Sequence, residues 1–275
     1  MDRVKNILSG KYFFMVIDES EICGAKYLNI LAGILEQPAQ TYLVECLPLN
    51  ASLNAQTILH AVEDTINFLG CKRQDFCLLL SDAAPYMISA GKTLHLLYPN
   101  VFHVTCTAHL LHNCAMKVKA NYINVDLLIA HLKAATVKNS SRKAIFVEIG
   151  QPPTPVVTRW GSWLEAAFYF SKNFPAVKRI VEGWPGAGKI VTNAKEIVKN
   201  KALVKELTEI EANYKQLSNL IEKFESPNFT ILEATNELLN INLGRDPCKV
   251  HDYLKKRLEK NEILEIVNVK QHQPQ

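Results

Sequence analysis

Short apolar runs alternating with helix-periodic segments fill the first 106 residues, and this alternation limits the folds open to the chain. YFFMVID (12–18) is a continuous apolar run with the character of a buried strand. KYLNILAGIL (26–35) and TYLVECLPL (41–49) follow at spacings too short for helical crossovers, which predicts antiparallel hairpins. LNAQTILHAVEDTINFLG (53–70) carries Ile58, Leu59, Val62, Ile66 and Leu69 at helical spacing, with Gly70 placed as a C-cap. DFCLLLSD (75–82) reads as a fourth strand. PYMISAGKTLHLLY (85–98) reads as a helix with Pro85 in its first turn, and VFHVTC (101–106) as a fifth strand. Three strands, helix, strand, helix, strand is an α/β order, and the helix over 53–70 supplies the crossover that parallel pairing requires.

From about residue 107 the periodicity is helical almost throughout. The exception is QPPTPVVTRWGSW (151–163), a proline-rich loop ending in an aromatic, basic knot. Helices are predicted around 163–182, 190–224, 229–241 and 247–265, the long second one open to a break. These patterns divide the chain into a strand-bearing region over 1–115, a helical region over 116–265 and a disordered tail over 266–275.

Two of the apolar runs deliver an aspartate at their ends, Asp18 and Asp82. In-line displacement at a phosphodiester uses divalent metals held by carboxylates, and magnesium takes oxygen ligands. Asp18 and Asp82 are therefore candidate catalytic and metal-binding residues for magnesium or manganese. Cys106, His109 and His112 raise the alternative of zinc. No second ligand cluster at finger-like spacing follows, and Cys114 lies too close to complete a usual site, so a packing or phosphate-contact role is the better account. GWPGAGK (183–189) fits most of a phosphate-binding loop, but Ile190 stands where a serine or threonine should reach magnesium, and the segment before it is helical. A glycine-rich turn between helices fits better.

The formal charge of +4 is mild for a dedicated duplex-binding module. It is uneven, however. Lys117, Lys119, Lys133, Lys138, Arg142 and Lys143 lie in one stretch with Asp126 its single acid. This stretch is either a solvated face or a surface for a phosphate backbone. Arg159, Trp160 and Trp163 suit phosphate grip and base stacking, or else core anchoring. Seven cysteines at irregular spacing form no CxxC pair, which argues for a reducing compartment. No apolar run approaches the ~18 residues of a membrane span.

SDAAPYM, HVTCTAHLLH and PPTPVVTRWGSW, in that order, resemble the hAT superfamily of DNA transposases. They are most similar to its transposon-derived branch grouped with CGG triplet repeat-binding proteins. The resemblance spans roughly 10–265. It implies a ribonuclease H-like core, in which the first and fourth strands lie side by side and set Asp18 and Asp82 at neighbouring strand ends, followed by a helical insertion-type region, with magnesium-dependent DNA cleavage and strand transfer as the family activity. The family's metal-binding acids fall on Asp18 and Asp82, its Cys-x-x-His motif on Cys106 and His109, and its Arg-Trp motif on Arg159 and Trp160. With Lys117 and Lys119, the last four are the candidate DNA contacts.

The family's Ser-Glu-Arg-x-Phe-Ser-like block with the third acid, and its BED-type zinc finger, have no counterpart here. The resemblance therefore implies a truncated domain, inactive alone, with weak DNA binding and a nuclear location. Two alternatives stand beside it. One is a domesticated interaction module whose helical region, above all 190–265, takes a protein partner or a second copy. The other is a piece of an active enzyme that recruits Glu233 or Glu237.

Overall fold

The computed structural model describes residues 2–49, 53–137, 139–156, 161–224, 226 and 229–263. The chain separates into two compact units. One comprises 1–109 with 257–275, and the other comprises 110–256. Among the described residues, no helix is long and apolar enough to cross a membrane.

The first unit is α/β, built on a five-stranded mixed sheet. It opens with a short helix, α1 (Asp2–Leu8), which the sequence patterns did not predict; its Leu8 is buried. Strands β1 (Phe13–Ile22), β2 (Ala25–Ile34) and β3 (Thr41–Leu49) form an antiparallel meander. The turn between β1 and β2 holds Cys23 at φ 52° and Gly24 at φ 82°. Two successive positive φ values match the right-handed twist of a hairpin. Helix α2 (Ala55–Leu69) is capped by the Asn54 side chain, which accepts from Thr57 N at 2.9 Å. It ends on Gly70 at φ 68°, as the spacing predicted. Strand β4 (Phe76–Ser81), helix α3 (Pro85–Leu97) and strand β5 (Phe102–Thr105) complete the sheet, whose order is β3-β2-β1-β4-β5. β1 pairs with β4 in parallel, and β4 with β5 in parallel.

Alternation along the strands puts Phe13, Met15 and Ile17 of β1, with Leu28, Ile30 and Ala32 of β2, into one core with the buried faces of α2 and α3. Gly91 of α3 comes close to β5: a Cβ there would stand 2.0 Å from His103 Nδ1. The described residues 257–263 belong to this unit, and their side chains meet the outer edge of β5. Asn261 Nδ2 donates to Thr105 O and to Thr105 Oγ1, both at 2.8 Å. His103 N donates to Glu262 Oε2 at 2.5 Å.

In one respect the sequence reading of the strands is corrected. Strand β1 does not stop at Asp18 but runs four residues further, because β2 continues to pair with it as far as Ile22–Ala25.

Helix α4 (Thr107–Asn121) begins in the first unit and continues in the second. The second unit is helical, with α5 (Ile123–Thr136), α6 (Ser140–Ala144), α7 (Ser162–Glu182), α8 (Lys189–Ile197), α9 (Ala202–Phe224), α10 (Ile231–Leu239) and most of α11 (Val250–Leu258). The long predicted segment 190–224 is broken where Asn200 Oδ1 accepts from Ala202 N at 2.9 Å and starts α9. Leu203, Leu207, Ile210, Tyr214, Leu217 and Ile221 form the buried stripe of α9 at helical spacing.

Candidate functional site

The backbone ladder between β1 and β4 registers Phe14 with Leu78, Met15 with Leu79 and Val16 with Leu80, and ends there. Two residues further along each chain stand Asp18 and Asp82. Asp18 is still within β1, while Asp82 follows directly on the end of the neighbouring parallel strand β4. Asp18 is exposed, on the sheet face opposite Ile17, while Asp82 is half-buried in the turn that leads to α3. Asp82 Oδ1 accepts from Ala84 N at 3.0 Å, which shapes that turn.

The carboxyl of Asp18 is pushed above the usual carboxylate range. Partial burial is the main cause. His109 pulls the other way, and the neighbouring Asp82 carboxylate adds to the rise. His109 is shifted upward as well, first by its hydrogen bond with Cys106, against burial, and then by the negative charge of Cys106, Asp18 and Asp82. Burial pushes the Cys106 thiol up, but hydrogen bonds from the His109 side chain and from the backbones of His109 and Ala108 outweigh it. The net shift is downward. Both residues lie at the start of α4, and Cys106 N donates to Ser81 O at 2.7 Å, which anchors this corner to β4. Two carboxylates and an imidazole that interacts with both meet at this corner, and these neighbours favour the charged form of the ring.

Three residues beside this cluster escaped the sequence reading. Tyr86 Oη donates to Glu19 Oε2 at 3.1 Å, and Lys26 Nζ meets Glu19 Oε1 at 2.7 Å. Lys26 is the first cause holding the Glu19 carboxyl below its usual range. Burial, then Glu19, pushes the Tyr86 hydroxyl up to about 12. His103 is the third. It is buried against Gly91, with Nε2 2.9 Å from Ser81 Oγ, while Ser81 Oγ donates to Asp82 O at 2.8 Å. Burial lowers its pKa to about 4, with Asp82 opposing. A histidine in the apolar phase of a strand, and a glycine inside a helix, were the available signals.

As donors, Asp18 and Asp82 suit a hard ion such as magnesium or manganese. Among the described residues no group of three or more His, Cys, Asp or Glu side chains is placed to hold a metal ion. Zinc on His109 would need a neutral ring, and the pairing with Cys106 favours the charged one.

Lys117 and Lys119 lie further along α4, in the second unit. Lys119 Nζ is 3.5 Å from Asp126 Oδ1, which also accepts from Trp163 Nε1 at 2.9 Å. Trp163 is buried and anchors the helical core. A cavity of about 360 Å³ lies beside them, with Met116, Ile129 and Trp163 as walls and Lys119 and Lys133 among its lining. Arg159, Trp160 and Lys138 lie outside the described residues, as does the tail 266–275. Glu233 closes the capping box of α10 with Thr230, and Glu237 pairs with Lys223, so both acids serve local structure. GWPGAGK is the connection between α7 and α8, a turn between helices as expected.

No protein-family model matches the chain, and a search of curated proteins returns no match.

Proposed function

We propose that the chain is a domain derived from a hAT-type transposase, with a ribonuclease H-like core that binds a divalent metal weakly and contacts DNA. The observation that carries this reading is the parallel pairing of β1 with β4, within the sheet order β3-β2-β1-β4-β5, which puts Asp18 on one chain and Asp82, just past the end of β4, on its neighbour. The resemblance to hAT transposases assigns its metal-binding acids to these two residues, and carboxylate oxygens are the donors that magnesium or manganese takes. Two carboxylates, one with a raised pKa, hold such an ion loosely, so DNA cleavage and strand transfer by this chain alone are very slow or absent. Cys106, His109, Lys117 and Lys119 are the proposed DNA contacts among the described residues. His109 stands beside the acids with its pKa raised by them and by Cys106, and the second unit provides lysines beside an aromatic wall. Arg159 and Trp160 enter this reading on the motif resemblance alone, and a nuclear location goes with it.

The test is a manganese titration followed by electron paramagnetic resonance of the free ion. The intact chain is expected to bind with a weak Kd, and Asp82→Ala to abolish that binding. Undiminished binding in Asp82→Ala would remove the metal site from the proposal.

A second reading, a protein-interaction module, draws on exposed apolar side chains of the second unit: Leu232 and Leu239 of α10 and Val204 of α9. A monodisperse oligomer in light scattering, with no salt-dependent DNA binding, would favour it.

A further inference from the structure

The two aspartates stand where the sheet stops holding them together. The β1–β4 ladder ends at Val16–Leu80, so neither Asp18 nor Asp82 is fixed to the other's strand by that ladder. After β4 the chain turns toward α3. Its backbone tie at this level runs to the opposite side, from Cys106 N to Ser81 O. On the β1 side, a side chain reaches across. Tyr86, in the first turn of α3, donates to Glu19, the neighbour of Asp18, over a sequence separation of 67.

We propose that Tyr86 is a positioning residue for the carboxylate pair: through Glu19 it joins the turn carrying Asp82 to the strand carrying Asp18, beyond the end of their backbone ladder. The inference rests on the metal-binding reading given above and adds the device that sets the spacing of the two acids. Tyr86 reaches Glu19 from a helix whose next residue, Met87, is buried in the core, so its base is rigid. Glu19 is in turn held by Lys26 across the β1–β2 hairpin, which fixes the acceptor's rotamer. Neighbouring residues on a strand point to opposite faces, so Glu19 acts on the backbone under Asp18 and is not itself a ligand alongside it. Partners bonded directly to a metal ligand commonly change metal affinity by about ten- to a hundredfold when removed, and a link that acts through the backbone is expected at the lower end of that range.

The experiment is a manganese titration of the full chain, with the free ion read by electron paramagnetic resonance, on Tyr86→Phe, Glu19→Gln and the double variant. Thermal melts run in parallel. Each single change is expected to weaken manganese about tenfold. The double variant should lose no more than either single one, because both remove the same link, and the melting temperature should stay nearly constant. A lowered melting temperature with unchanged manganese affinity would show a merely structural role and overturn the inference. Additive losses in the double variant would overturn it too, since they would mean two separate effects. If the intact chain binds manganese through Asp82 and both single variants bind as tightly, the metal site stands and the positioning role falls. If the intact chain binds none, both fall.

Discussion

The two units use their polar side chains differently. In the second, Trp163 donates to Asp126, Tyr214 Oη donates to Asp246 Oδ1 at 3.1 Å and accepts from Cys248 N at 3.2 Å, and Thr230 with Glu233 closes a capping box. Each of these groups has a local structural partner. In the first, Asp18 carries a raised pKa because its surroundings crowd it, and His109 is shifted by Cys106 and by two acids at once. Polar groups that satisfy one another stabilise a fold. Groups left in mutual electrostatic tension mark a place where something else can bind. The contrast locates the candidate chemistry in the first unit, although the second is richer in lysine over 110–143.

The contrast can be broken by experiments that address one unit at a time. All three tryptophans of the chain fall between 110 and 256, so tryptophan fluorescence follows the second unit. The largest effect is expected for Gly91→Ala. Its new methyl would meet a His103 ring that Ser81 holds in place, at a cost of about 3 kcal/mol. Urea unfolding followed by circular dichroism should show an early transition, while the fluorescence midpoint stays fixed. Loss of both together would mean that the units unfold as one.

Nearly as large is a pH effect. His103 is buried and its folded pKa of about 4 lies below the ordinary 6.5. The unfolded chain therefore takes up the proton first as pH falls. The contribution of His103 to stability is full above pH 6.5 and declines toward pH 4, by about 3 kcal/mol at the limit. Asp18 and His109 have raised pKa values and contribute with the opposite sign, so the difference from a His103→Gln chain isolates the effect. Equal acid profiles for the two chains would refute it. In the second unit, Tyr214→Phe should lower the fluorescence midpoint by about 1–2 kcal/mol, since it leaves Asp246 and the Cys248 amide short of a partner. Thr230→Ala, which opens the capping box, should cost about 1 kcal/mol. A Thr230→Ala effect larger than that of Tyr214→Phe would place the stability of this unit at its helix ends.

Periodicity made most of the first unit legible. The end of α2 at Gly70 and Pro85 opening α3 follow from residue chemistry alone. α1 escaped because seven residues span too few turns to display a periodic stripe. Asp18 and Asp82 were visible as acids ending apolar runs, and the element order placed the first and fourth strands side by side, as β1 and β4 are; that β1 runs on past Asp18 was not visible, because it depends on the length of its pairing with β2. The Tyr86–Glu19 bond had no local signal at all. Neither had the reach of Asn261 and Glu262 to β5, over separations of 156 and 159.

That last contact has a consequence for the behaviour of the protein in a crowded solution. The outer edge of a β-sheet is a template on which a foreign strand can grow. Along β5 the template is occupied by the side chains of Asn261 and Glu262, and along β3 Pro48 removes a donor. Cutting the chain before residue 257 would strip the cover from β5 and leave its edge open to the next molecule.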